Sequence, residues 1–86
     1  MKVAYLPIFV KQYKKLPEPL RLEVLEKIDL FKKDPKHPFL KVHKLKGSLA
    51  DRWSFSVNYE YRIMFAYISK DEVVLMNVGN HDIYKN

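Results

Sequence analysis

The chain contains no cysteine, which excludes disulfide staples and thiolate metal sites. Glycine is scarce, at two residues, and no linker, internal repeat or low-complexity tract interrupts the sequence. No apolar stretch approaches the length that crosses a bilayer, so no membrane partner is expected. Acidic residues are in the minority, ten against sixteen Lys and Arg, for a net charge of +6. Lys2 is followed by only a short apolar run that Lys11 ends, which does not make a secretory signal. With the lack of cysteine, that points to the cytoplasm.

Eighty-six residues make one domain, 1–86, with one modest core. Apolar residues at 48% and charged residues at 30% describe an ordinary soluble globule. The positive charge is uneven. Residues 1–46 hold twelve Lys or Arg against five Asp or Glu, and residues 47–86 hold four against five. The densest run, Lys36 to Lys46, carries Lys36, His37, Lys41, His43, Lys44 and Lys46 with no acid. A basic surface draws polyanions and speeds their encounter. The alternative is a solvated lysine face that only keeps the chain soluble.

The periodicity predicts a strand over Val3–Leu6, a helix over Ile8–Lys15 and a longer helix over Pro19–Lys33. Phe9, Val10, Tyr13 and Leu16 recur at helical spacing, as do Leu20, Val24, Ile28 and Phe31, joined by Leu25. Pro17 and Pro19 break the first helix and open the second. Glu23 and Lys27 suit an i,i+4 pair, and Asp34-Pro35 stops the helix. Three strands follow. Trp53, Phe55 and Val57 alternate with Ser54, Ser56 and Asn58. Ile63, Phe65 and Tyr67 take one face of the next strand, with Arg62 and Met64 on the other. Val74, Met76 and Val78 share a face of the last, opposite Asn77. His43–Leu45 adds or leads into a fourth strand. The expected fold is α+β: two antiparallel N-terminal helices on one face of a mostly antiparallel sheet of four or five strands. If the last strand runs on through Gly79, His81 joins Arg62 and Asn77 on the face that the helices leave open.

Three segments carry a resemblance to a known family. Leu45-Lys46-Gly47 is followed after a short loop by Trp53-Ser54. Glu60-Tyr61-Arg62-Ile63 precedes Phe65. Gly79-Asn80-His81-Asp82-Ile83-Tyr84 closes the chain. In order and at these spacings they resemble the RelE/ParE superfamily of toxin–antitoxin toxins, above all its YoeB- and YafQ-like ribonuclease branch. The likeness covers nearly the whole chain in element order.

That resemblance implies an endonuclease that cuts mRNA on the ribosome with neither metal nor cofactor, held in check by an acidic antitoxin. The toxin alone would be a monomer, and the antitoxin complex a hetero-oligomer. The 2′-hydroxyl of one nucleotide attacks the adjacent phosphate, which calls for a base, an acid and a cation on the phosphorane. His43 stands where relatives carry a histidine or glutamate and is the candidate base. Histidine exchanges protons nearest neutral pH of all side chains. Arg62 matches the phosphate-binding arginine, whose fork suits a phosphorane, and its competing role is an ion pair with a glutamate such as Glu60. His81 is the candidate acid, and Tyr84 the terminal aromatic that stacks on a base or orients the phosphate. Lys46, Lys44 and Lys41 are candidate RNA-backbone contacts. Two positions depart from the pattern. Phe55 and Ser56 stand where some members carry lysine or arginine, and Tyr84 lies three residues after His81, one fewer than in some relatives. His37 has no counterpart in the pattern, and Trp53 reads as a core residue. Two other readings stay open: a gyrase inhibitor of the ParE type, and a member that keeps the antitoxin surface but not the chemistry.

Overall fold

The computed structural model describes residues 1–84. Its elements run β1 (Lys2–Tyr5), α1 (Pro7–Lys14), α2 (Glu18–Lys33), β2 (His43–Lys44), β3 (Trp53–Ser56), β4 (Arg62–Ser69) and β5 (Glu72–Gly79), with 3-10 turns at Pro38–Leu40, Gly47–Leu49 and His81–Tyr84. The five strands form one sheet in the order β1-β5-β4-β3-β2. β1 runs parallel to β5 and every other pair is antiparallel. The two helices and mostly antiparallel sheet match the α+β arrangement expected from sequence.

Proline punctuates the helical half. Pro7 stands at the first turn of α1, where its fixed φ fits and its missing N–H is not needed. Pro17 ends the connection, and its carbonyl accepts the amides of Leu20 and Arg21. Arg21 Nη1 donates back to the Leu16 carbonyl at 2.7 Å, satisfying an acceptor that the end of α1 leaves open. Lys32 and Lys33 lie in the last turn of α2, at the negative end of its dipole.

The core lies between the helices and one sheet face. Phe31 of α2 stacks on Phe55 of β3, with centroids 4.6 Å apart, and meets Phe65 of β4 edge-on at 5.0 Å. Val24, Ile28, Leu40, Ile63, Val73, Leu75 and Val78 complete the packing. Among the described residues, no helix is long and apolar enough to cross a membrane.

Three details differ from the sequence reading. Leu25 is 51% exposed, because it lies on the outer side of α2, off the stripe formed by Val24, Ile28 and Phe31. Glu23 accepts a hydrogen bond from Asn58 Nδ2 at 3.2 Å, and the ion pair on α2 is Asp29–Lys33, not Glu23–Lys27. In β5 the buried residues are Val73, Leu75 and Val78, whereas strict alternation had grouped Val74, Met76 and Val78. An irregularity opposite Met64/Phe65 drops Met76 from the register. An extra residue of this kind reverses the parity of everything beyond it.

Candidate active site on the open face of the sheet

Residues directly opposed across an antiparallel pair project to the same face. His43 opposes Ser54, Ser54 opposes Met64, and Ser56 opposes Arg62. His43, Ser54, Ser56, Arg62 and Met64 therefore share one face. Phe55 and Ile63, the residues between, point into the helical core. The face away from the helices is thus polar at its edges, but its centre is covered. Ser54 is fully buried and Met64 is 2% exposed.

The cover is the C-terminal turn. β5 ends at Gly79, and His81–Tyr84 coils into a 3-10 turn, so His81 arrives by a turn and not by strand parity. Asn80 starts this turn: its side-chain oxygen accepts the Asp82 amide at 2.9 Å and its carbonyl accepts that of Ile83 at 3.1 Å. Gly79 makes the fold-back possible. A Cβ there would stand 2.6 Å from Ile83 Cγ2. Tyr84 then reaches across the sheet, and its hydroxyl and that of Ser54 hydrogen-bond at 2.5 Å. The His81 and Tyr84 rings meet edge-to-face at 5.9 Å.

Arg62 and His81 line a common cleft of about 560 Å³, with Tyr59, Glu60, Asn80 and Asp82 around it. Arg62 forms no ion pair with Glu60 among the described residues. Instead its Nη1 donates to the carbonyls of Asn58 and Tyr61. That ties the guanidinium to the β3–β4 turn, so Arg62 is an anchor of the turn as well as a cation in the cleft. Both of these hydrogen bonds run through Nη1. Glu60 and Asp82 make the cleft mixed in sign.

His43 is exposed on β2, at the sheet's outer edge. Its Nδ1 lies 2.9 Å from the Lys41 carbonyl. A carbonyl only accepts, so Nδ1 carries a proton, and in the neutral imidazole Nε2 is then the nitrogen with the lone pair. Lys41 adopts φ +50°, the left-handed region, which is uncommon for a residue with a Cβ. That conformation turns the chain out of the Pro38–Leu40 turn and directs the carbonyl at His43.

The lysines divide. Lys44 opposes Trp53, so it projects to the helix side of the sheet, away from His43. Lys46 is exposed at the start of the Gly47–Leu49 turn, where Gly47 takes φ +67°. Asn77, expected on the open face, places its amide 3.5 Å from Gln12 Oε1 of α1, which also accepts the Val78 amide at 3.0 Å. Trp53 is half-buried and not enclosed in the core. Among the described residues no group of three or more His, Cys, Asp or Glu is gathered as a metal ion requires.

Sequence reasoning missed Ser54 as the partner of Tyr84, and missed Tyr59 and Asn80 in the cleft. The alternation of Ser54 and Ser56 on a strand marked the former. The Gly-Asn pair before the last turn marked Asn80. Nothing in the sequence marks Tyr59, which is 93% exposed.

No family model matches the sequence, and no curated protein matches it significantly. The three-dimensional fold has clear counterparts. A YoeB/ParE toxin from Agrobacterium tumefaciens superposes with a TM-score of 0.76 at 19% identity, over 94% of this chain and 99% of the other. YafQ from E. coli strain BL21(DE3) gives 0.79 at 13% identity, over 99% and 98%. In a heterotetrameric YoeB–YefM toxin–antitoxin complex from Staphylococcus aureus, the matching chain gives 0.73 at 16% identity, over 94% and 97%. The order of elements, the parallel closing strand and the extent of superposition give this chain the RelE-like α+β fold of the YoeB and YafQ toxins.

Proposed function

We propose that the chain is the toxin of a toxin–antitoxin module and a metal-independent endoribonuclease acting on ribosome-bound mRNA. The observation that supports this reading is the cleft that Arg62 shares with His81, beside a sheet face that also carries His43. His43 Nε2 removes the proton of a 2′-hydroxyl. The resulting oxygen attacks the adjacent phosphorus. Arg62 stabilises the charge that builds on the phosphorane oxygens. The P–O5′ bond breaks and His81 protonates the departing 5′-oxygen. The products are a 2′,3′-cyclic phosphate and a 5′-hydroxyl. Tyr84, held by Ser54, supports the ring of His81 and offers its own face to a base. Lys46 contacts the RNA backbone near His43, and Lys41 and Lys44 do so from the other side of the sheet.

The partner in this reading is an acidic antitoxin, which fits the surplus of positive charge in residues 1–46 and the toxin–antitoxin complex among the structural counterparts. The site of action is cytoplasmic. One substitution in the substrate tests the chemistry. A message with a single 2′-deoxynucleotide at the mapped cut site should resist cleavage there, while cuts elsewhere persist. Unchanged cleavage at the deoxy position would rule out attack by the 2′-oxygen.

A further inference from the structure

A second cleft, of about 470 Å³, lies on the other side of the sheet from His43 and includes Lys36, His37, Lys41, Trp53 and Tyr67 in its lining. Its volume falls within the range of small-molecule sites. The Trp53 and Tyr67 rings meet at 5.4 Å and 87°, forming an aromatic corner. Trp53 is half-buried and Tyr67 is 42% exposed. His37 accepts the Phe39 amide at Nδ1, 3.1 Å away, which leaves Nε2 as the ring's donor. Lys36 and Lys41 supply positive charge, no acidic residue lines the cleft, and Lys44 projects from the same face beside Trp53. Both rings pack on the margin of the core, Trp53 against its buried cluster and Tyr67 against Phe65 at 5.6 Å, and each keeps part of its surface exposed.

We infer that this cleft binds one nucleotide of single-stranded RNA, with its base against the Trp53–Tyr67 corner and its phosphate between Lys36 and Lys41. Stacking on aromatic faces beside lysines on the backbone is the physical recipe for holding single strands with little regard to sequence. An acidic peptide would use the lysines but not the ring faces. The cleft is also joined to the candidate active site. Successive residues of β3 present Trp53 to one face and Ser54 to the other, and Lys44 and His43 do the same on β2. β2 is two residues long and forms the outer strand of the sheet. An RNA strand that rounds this short edge passes from the cleft to His43. Lys41 serves both ends: its side chain lines the cleft and its carbonyl holds His43 Nδ1. The inference rests on the RNA reading for its ligand and adds a site that positions the substrate outside the reacting groups.

Trp53 is the chain's only tryptophan, so its fluorescence reports on the cleft directly. The probe is an unstructured RNA hexamer, titrated into the full-length His81→Ala protein so that it stays uncut. Binding is read in parallel by anisotropy of an end-labelled copy. Saturable quenching of Trp53 is expected, with the same midpoint as the anisotropy. An abasic oligomer of equal length should bind about tenfold more weakly, since one stacked base is worth about that factor. Lys36→Glu should weaken the hexamer and raise the mRNA concentration needed for half-maximal cutting. Equal quenching by the abasic oligomer or by poly-glutamate would overturn the proposal in favour of a polyanion or acidic-peptide surface. RNA binding by anisotropy with no change at Trp53 would overturn the cleft but leave the nuclease reading standing. No binding by anisotropy, together with no cleavage by the unsubstituted protein, would remove both.

Discussion

Ser54 is a fully buried hydroxyl on the sheet face opposite the helices, and Tyr84 is its partner across thirty positions of sequence. The two substitutions that break this bond differ in consequence. Tyr84→Phe leaves a buried hydroxyl without its mate and should cost about 1–3 kcal/mol. The double variant Ser54→Ala/Tyr84→Phe removes both groups and should recover much of that loss. Urea denaturation followed by circular dichroism measures both. Equal stability of all three proteins would show that the bond does not hold the turn. Arg62 has a double role of the same kind. Its Nη1 holds two carbonyls of the β3–β4 turn, so Arg62→Ala should lower stability by about 1–3 kcal/mol as well as activity. Arg62→Lys keeps the charge and loses the fork. It should retain more stability than Arg62→Ala, yet cut mRNA far more slowly than the unsubstituted protein. Among single residues, the open face of Arg62 was legible in the sequence, because parity along short regular strands is a local property. The Ser54–Tyr84 bond and the anchoring of Arg62 were not, because they join residues whose proximity depends on how a turn folds.

Elements were legible where their periodicity is unbroken. Both helices fall within a residue or so of their expected limits, because proline and Asp34-Pro35 fix their ends by covalent geometry. β5 was not fully legible. Its irregularity near Met76 reverses the inward set, and no residue type announces it. Sequence alone leaves open whether β5 runs on past Gly79; it ends there, and Gly79-Asn80 supplies the chemistry of the turn that follows. That turn yields a prediction at its own scale. Gly79→Ala places a methyl where Ile83 Cγ2 stands and should push the His81–Tyr84 turn off the sheet. Cleavage should fall by about tenfold or more, as general-acid catalysis requires its group in place. The midpoint of urea denaturation should fall at least as far as in Tyr84→Phe, because the displaced turn takes the Tyr84 hydroxyl away from Ser54. Two-dimensional NMR of the His81 imidazole would show the displacement. An unmoved His81 signal with full activity would mean that the close approach of Gly79 and Ile83 is not what seats the turn.

For the whole molecule, the α+β layers followed from helical stripes preceding alternating strands, and the sheet order from short antiparallel connections. The parallel pairing of β1 with β5 had no local signal, since it joins the two ends of the chain. Charge is the other property of this scale. Positive residues crowd the first half and the Lys36–Lys46 segment, while the cleft beside Arg62 also holds Glu60 and Asp82. An acidic partner should therefore be drawn to the helices and the basic segment more than to that cleft. Calorimetric titration with the acidic product of a neighbouring gene should show tight binding that weakens as salt rises, through slower association above all. Affinity indifferent to salt would assign the contact to apolar surface alone.

His43 and His81 are proposed to act as base and acid on one phosphate. The direct measurement is the single-turnover rate of cutting ribosome-bound mRNA by the unsubstituted protein, His43→Ala, His43→Glu and His81→Ala, with circular dichroism confirming that each is folded. A loss of about a hundredfold or more is expected for each alanine variant, with partial activity for His43→Glu and a 2′,3′-cyclic phosphate on the upstream fragment. Folded His43→Ala and His81→Ala proteins that cut at the full rate, or an unsubstituted protein that leaves mRNA intact while inhibiting DNA gyrase, would contradict it.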